Sequence, residues 1–316
     1  MPSLVVTIFG GSGFVGRYLV KRLADHGARI RVMSRDPVGA EFLKPIGDVG
    51  QIAPVAYDPG DDASVAAAVT GSDAVVNLVG TLFERGKATF QATHAEIGRR
   101  IATAAAAAGV RRLVQISAIG ADAKSSSSYA RSKAAGEKAA SEAFSGATIV
   151  RPSVIFGPED ELFNQFAAIA RLSPALPLIG GGETRFQPVY VGDVAEAIRR
   201  IIDEPRTAGR TYEVGGPYVY TFRELMELML HEIDRRRVLV PISWGLAEAI
   251  GSVLERLPMP VLTRDQVELL KMDNVVSDDA ATLADLGIAP TSLEVVLPTY
   301  LGRFRKDGGR HPHPAV

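Results

Sequence analysis

Ile8-Phe9-Gly10-Gly11-Ser12-Gly13-Phe14-Val15-Gly16-Arg17 joins two segments of different periodicity near the start of the chain. Ahead of it, Leu4-Val5-Val6-Thr7-Ile8 is a β-branched apolar run of the kind that forms a strand buried on both faces. Behind it, Tyr18-Leu19-Val20-Lys21-Arg22-Leu23-Ala24 repeats its apolar residues at helical spacing. Gly10, Gly13 and Gly16 therefore punctuate a strand–turn–helix unit. The first glycine permits the tight turn, the second lets a pyrophosphate approach the backbone, and the third lets the helix pack closely on the strand. The backbone N–H groups around Ser12, Phe14 and Val15, at the helix start, would face the phosphates. The alternative is a glycine-rich turn in an α/β protein that binds nothing.

The composition narrows the classes. A chain of 316 residues suffices for one large domain, or for a large domain with a smaller lobe. Basic and acidic side chains nearly cancel, with a net charge of -1, so nothing supports a general nucleic-acid partner. There is no cysteine, which excludes disulfide and thiolate chemistry and is compatible with a reducing compartment. The first strand begins close to Met1, leaving no expected room for a signal peptide. No apolar run approaches the roughly 20 residues of a bilayer span. The expectation is a soluble, cytoplasmic protein, with peripheral membrane contact left open.

Strand and helix signals then alternate. Ile30-Arg31-Val32-Met33 reads as the second strand, and its end is where a dinucleotide fold selects its cofactor. Ser34 stands where an acid would hold the ribose 2′-OH, and Arg35 follows it. A guanidinium can bind a 2′-phosphate bidentately, so NADP(H) is favoured and NAD(H) is the alternative. Asp36 precedes Pro37 and reads as a turn former. After a third strand, Gln51–Ala56, Asp58 reads either as an adenine contact or as a turn residue, and Asp61 or Asp62 as the cap of the next helix. A fourth strand, Ala74-Val75-Val76-Asn77-Leu78, runs into Val79 and Gly80, beneath which a ribose would fit. A helix is expected from about Phe90 to Ala108, then a fifth strand, Arg112–Ser117. This alternation calls for a Rossmann-type, doubly wound parallel sheet.

A serine-rich loop follows, and Tyr129-Ala130-Arg131-Ser132-Lys133 opens a long helix. Tyr129 and Lys133 are four apart and share one helix face. An ammonium there can lower the pKa of the phenol and bind the nicotinamide ribose, while the Ser117 hydroxyl orients a substrate oxygen. Tyr129, Lys133 and Ser117 are accordingly the candidate catalytic residues. No cluster has metal-ligand spacing; His311 and His313 alone do not make a site.

The glycine triplet, Ser117, Tyr129-x-x-x-Lys133, Arg151-Pro152-Ser153, Phe156-Gly157-Pro158 and Val191-Gly192-Asp193-Val194-Ala195 together resemble an extended or atypical short-chain dehydrogenase/reductase. Several stretches resemble more narrowly the nucleotide-binding accessory subunits of respiratory complex I and their bacterial relatives. These include Ser117-Ala118-Ile119-Gly120-Ala121, Arg151 to Asp160, Leu178 to Gly182 and Thr184 to Asp193. The resemblance implies a nicotinamide dinucleotide, usually NADPH, held as a structural element, with Pro152 beside it. It also implies complex I subunits as partners and a place at the inner face of the respiratory membrane. Many active members of the wider superfamily carry an asparagine that holds a proton-relay water; the matching position here is His94. The resemblance makes Arg185 a candidate anion contact for a substrate, with a surface salt bridge as the alternative.

The expected division is a dinucleotide-binding domain over 1–230 with substrate-side insertions at about 152–190, a small mixed C-terminal lobe over 231–303, and a disordered tail over 304–316. Asp193 reads as a helix cap. The apolar segment around Trp244 is read mainly as the packing of the lobe, with cleft cover, partner docking or a bilayer surface as alternatives.

Overall fold

The computed structural model describes residues 3–86, 88–257, 260–306 and 308. The chain forms two compact units that interleave along the sequence. The first comprises 1–152, 191–214 and 277–288; the second comprises 153–190, 215–276 and 289–316. This differs from the expected boundary at 230. Residues 215–230 belong with the second unit because the strand at 211–214 completes the sheet of the first and the chain then leaves it.

In the first unit, β1 (Val5–Phe9), α1 (Phe14–Asp25), β2 (Arg29–Ser34), β3 (Ile52–Ala56) and α2 (Asp62–Val69) are followed by β4 (Ala74–Asn77). Then come α3 (Ile97–Ala107), β5 (Arg112–Ile116), α4 (Ser128–Ala143) and β6 (Thr148–Pro152). A seventh strand, Thr211–Val214, pairs with β6. All seven run parallel, in the order β3-β2-β1-β4-β5-β6 and then 211–214. The chain winds outward from β1 through β2 to β3 and returns to β4 on the other side of β1. The topological switch point therefore lies between β1 and β4, where such sheets bind ligands. Val6, Ile8 and Phe9 are fully buried, as a central parallel strand covered on both faces requires. Asp61 caps α2 by accepting from the Ala63 and Ser64 N–H groups, and Ser127 caps α4.

One sequence expectation is refined here and one is corrected. The helix expected from about Phe90 to Ala108 is present, but its first part, Gln91–Glu96, is π-helical and only Ile97–Ala107 is α-helix. At Gly136 on α4 an added Cβ would stand 2.4 Å from the His94 carbonyl oxygen, so α4 lies directly against this widened turn. Asp193 is not at the N-cap position: the helix Val191–Asp203 already includes it in its first turn.

Among the described residues of the second unit, three two-stranded pairs and five α-helices surround an apolar core that includes Phe156, Phe163, Leu176, Phe222, Met226 and Leu297. Tyr300 donates a hydrogen bond to the buried Asp160 carboxylate, which also accepts the N–H groups of Gly157, Phe163 and Asn164. Phe304 is buried in this core, so the ordered chain extends past the expected start of the tail. Most of that tail, with His311 and His313, lies outside the described residues. Trp244 packs over Gly180, where a Cβ would stand 2.1 Å from the indole. The helix Trp244–Leu254 buries only its small residues, Ala247 and Gly251. Leu246, Ile250, Val253 and, beyond the helix end, Leu257 are exposed. Among the described residues no helix is long and apolar enough to cross a membrane.

Candidate functional site

β1 ends at Phe9, and Gly10 takes φ +78°, in the left-handed region that favours glycine. A Cβ at Gly10 would stand 3.1 Å from the backbone of Leu78, just past the end of β4. The two sides of the switch point thus meet backbone to backbone. The Gly13 N–H donates to the Gly10 carbonyl at 3.1 Å, and Gly13 is the N-cap of α1. It carries no capping side chain, and the first turn of α1 holds no acid. The positive end of the helix is therefore unscreened by its own chain, the arrangement that favours an anion. At Gly16 a Cβ would lie 2.5 Å from the Gly11 backbone, so α1 packs against its own turn. Ser12, Phe14 and Val15 line this corner, all partly exposed.

At the end of β2 the Ser34 hydroxyl donates to the Asp36 carbonyl and accepts the Asp36 N–H, closing its own turn. Asp36 in turn accepts the Gly39 N–H. Arg35 is exposed and, among the described residues, has no hydrogen bond or ion pair. Asp58 accepts the Gly60 N–H at 2.8 Å, which is the turn-forming role of its two readings.

Lys133, Tyr129, His94 and Gly80 converge. Lys133 is 6% exposed, and its Nζ lies 5.5 Å from the centre of the Tyr129 ring. It has no hydrogen-bond acceptor or counter-ion among the described residues. Burial lowers its pKa from 10.5 to about 8, with Glu137 acting in the opposite direction. A Cβ at Gly80 would stand 3.5 Å from Lys133 Nζ and 3.7 Å from His94 Nε2. Val79 beside it is fixed by an N–H bond to Asn77 Oδ1. Ser117 is 3% exposed, and its hydroxyl has no hydrogen-bond partner among the described residues. Its backbone N–H donates to Val150 on β6, and the Pro152 carbonyl accepts the Ile119 N–H, which places Pro152 on the neighbouring strand end.

His94 is held on every side. Its ring stacks on Phe90 at 5.7 Å and meets the Tyr129 ring edge-on at 5.3 Å. Nε2 accepts the Thr81 N–H at 3.1 Å, and Nδ1 lies 2.8 Å from the Ser132 hydroxyl. Ser132 donates its own proton to the Tyr129 carbonyl. Nδ1 must then carry the imidazole proton and donate to Ser132, which leaves the ring neutral with both nitrogens engaged. Burial, followed by repulsion from Lys133, lowers the His94 pKa to about 3.

Arg185 lies in the second unit. Its guanidinium and its backbone N–H are all bonded to Asp273 within the second unit. This is the surface salt bridge that was the alternative reading.

Sequence reasoning missed Thr81, Ser132, Glu137 and Arg151 as supports of the site. A glutamate four residues beyond Lys133 was legible as a helix-face partner. The Thr81 and Ser132 contacts join distant segments, and no local pattern marks them.

Residues 6–215 match the NAD-dependent epimerase/dehydratase family. The chain is 37% identical to the NADH dehydrogenase (ubiquinone) 1 alpha subcomplex subunit 9, mitochondrial, of Arabidopsis thaliana, over 98% of this chain and 80% of that protein. The Mus musculus protein of the same description is 36% identical, over 96% of this chain and 81% of its own length. Among solved structures, a dTDP-glucose 4,6-dehydratase from Streptomyces venezuelae with NAD and TYD bound superposes with a TM-score of 0.71. It is 20% identical, over 95% of this chain and 96% of that one, a likeness of fold.

Proposed function

The chain belongs to the NAD-dependent epimerase/dehydratase family, and on that premise we propose that it holds NADP(H) mainly as a structural element, for association with respiratory complex I or its assembly. The backbone around Gly10, Gly13 and Gly16, with Ser12, Phe14 and Val15, would take the pyrophosphate. Arg35, beside Ser34, would take the 2′-phosphate, and its freedom from other partners supports NADP(H) over NAD(H). Val79, Gly80, Tyr129, Lys133 and Pro152 would surround the nicotinamide ribose. Asp58 keeps a lone pair for the adenine, beyond its turn bond. The residues fit such a group because Lys133 is a buried ammonium with no acceptor among the described residues, and ribose hydroxyls would supply one.

The observation that carries the structural role is His94. It stands at the matching position of the relay asparagine, yet both of its nitrogens are engaged, by the Thr81 N–H and the Ser132 hydroxyl, which leaves neither to hold a relay water. A cofactor held this way stabilises the fold by mass action, by about 4 kcal/mol at a thousandfold excess over its Kd. The resemblance of nearly the whole chain to complex I subunits supports the partner and a place at the inner face of the respiratory membrane. The exposed row Leu246, Ile250, Val253 and Leu257 supports peripheral contact there.

One observation favours a second reading, an NADPH-dependent reductase or epimerase. The buried Ser117 hydroxyl lacks a partner among the described residues, as a group awaiting a substrate carbonyl would. The bound nicotinamide would supply or accept hydride. Ser117 would polarise the carbonyl, Tyr129 would exchange the proton at its phenolic oxygen, and Lys133 would hold the phenol at a lowered pKa.

The test takes the protein as isolated. Its nucleotide is extracted and identified, and its absorbance is followed while carbonyl compounds and quinones are presented. Retained NADPH that is never oxidised, together with co-migration of the chain with NADH:ubiquinone oxidoreductase on native gels, is the expected result. Ready exchange with turnover that vanishes in Tyr129→Phe would overturn it and establish the reductase.

A further inference from the structure

Lys133 and Glu137 stand one turn apart on α4, a spacing at which an ammonium and a carboxylate ordinarily pair. Here they do not. Both Glu137 oxygens accept instead from Arg151 on β6: Nε donates to Oε1 at 2.8 Å and Nη2 donates to Oε2 at 2.7 Å. Arg151 Nη1 reaches Glu213 Oε1 at 3.3 Å on the adjacent strand, and Glu213 Oε2 accepts the Ser277 N–H at 2.9 Å. The Glu137 and Glu213 side chains are only 12% and 10% exposed, so these contacts are shielded from water.

A bidentate guanidinium fork matches a carboxylate in a way that an ammonium point charge cannot. Arg151 therefore wins Glu137 from Lys133. One guanidinium against two carboxylates leaves a single negative charge, and the Lys133 ammonium balances it without touching it. Glu137 in this arrangement supports the charged state of Lys133 against burial while leaving its three N–H donors uncommitted.

We propose that Arg151 is a positioning residue of the dinucleotide site: by occupying Glu137 it keeps the Lys133 ammonium available to a ligand hydroxyl. This rests on the reading of Lys133 as a cofactor contact. It assigns a task to the arginine of Arg151-Pro152-Ser153, which touches none of the candidate site residues through the bonds above.

The experiment follows two readouts in Arg151→Met, Glu137→Gln and the double variant. One is the pH titration of the Lys133 ¹³Cε resonance in nucleotide-free protein; the other is the Kd for NADPH. The other titratable groups facing Lys133 are Tyr129, His94 and Glu137. In Arg151→Met, Glu137 is released to Lys133. The lysine titration should then move upward by about one unit or more, and NADPH should bind roughly tenfold more weakly. Adding Glu137→Gln removes the competing carboxylate and should restore most of that affinity.

A purely structural Arg151 predicts the opposite, because the double variant lacks the fork as well. An unmoved Lys133 titration in Arg151→Met, or a double variant that binds no better than the single one, would overturn the proposal. Should Arg151→Met not fold, Glu137→Gln alone must lower the Lys133 titration, and no change there overturns it equally. A chain that binds no dinucleotide at all would sink the cofactor reading. The lysine titration would still decide the coupling.

Discussion

The Ser132 hydroxyl sits 2.8 Å from His94 Nδ1 and donates its hydrogen bond to the carbonyl of Tyr129, so α4 fixes the tautomer of a histidine on another helix. The same two residues tie the first turn of α4 to the π-helical turn ahead of α3. Thr81 closes the third side through its N–H bond to Nε2. His94 is thereby a keystone of the site's wall, and its chemistry is that of a hydrogen-bonded neutral ring.

That ring should stay neutral through the physiological range. Long-range ¹H–¹⁵N NMR is expected to show a single Nδ1–H tautomer for His94, with no titration between about pH 4.5 and pH 8. The folded pKa of about 3 lies below the unfolded value of 6.5, so only the unfolded chain takes up the proton in that interval. The associated stability is complete above pH 6.5 and is lost as the pH falls towards 3. Denaturation followed against pH should show this acid slope, and His94→Gln should flatten it.

Lys133 gives a slope of the same sign at higher pH. Its folded pKa of about 8 lies below the free value of 10.5, so charging it opposes folding. That penalty is full below pH 8 and is relieved as the pH rises towards 10.5. Lys133→Met is therefore expected to raise the stability of the nucleotide-free protein at pH 7, by at most about 3 kcal/mol. The same variant should weaken NADPH by roughly 10- to 100-fold, the worth of hydrogen bonds from a charged donor. Urea unfolding and equilibrium binding check the two halves separately.

The glycines divide into structural and ligand-facing positions. Gly16→Ala forces a Cβ into the Gly11 backbone and should cost roughly 1–3 kcal/mol of stability. Gly13 has φ −76° and only the Gly10 carbonyl nearby, at 3.2 Å from an added Cβ. Gly13→Ala should therefore fold with little change in Tm but lose nucleotide affinity, because its methyl group enters the space in front of α1.

Arg35 is the test of cofactor choice. Arg35→Ser should weaken NADPH by about 10- to 100-fold and leave NADH nearly unchanged, since only the 2′-phosphate loses a partner. Titration of both nucleotides at two salt concentrations measures this. Equal losses for the two would place Arg35 elsewhere than at the 2′-phosphate.

Local patterns in the sequence determined the parallel sheet, the glycine turn after β1 and the pairing of Tyr129 with Lys133 on one helix face. These follow from periodicity, from the steric freedom of glycine and from the helical repeat, all of which act within a few residues. The position of His94 in the site was also legible, but its state was not. Its protonation depends on Thr81 and Ser132, which reach it from segments 13 and 38 residues away. The interleaving of the two units and the salt bridge that occupies Arg185 were likewise decided by the tertiary structure. So was the fork by which Arg151 takes Glu137 from Lys133. The physical reason is common to all of these: a charged or polar side chain has several possible partners in the sequence, and only the folded geometry and its burial select one.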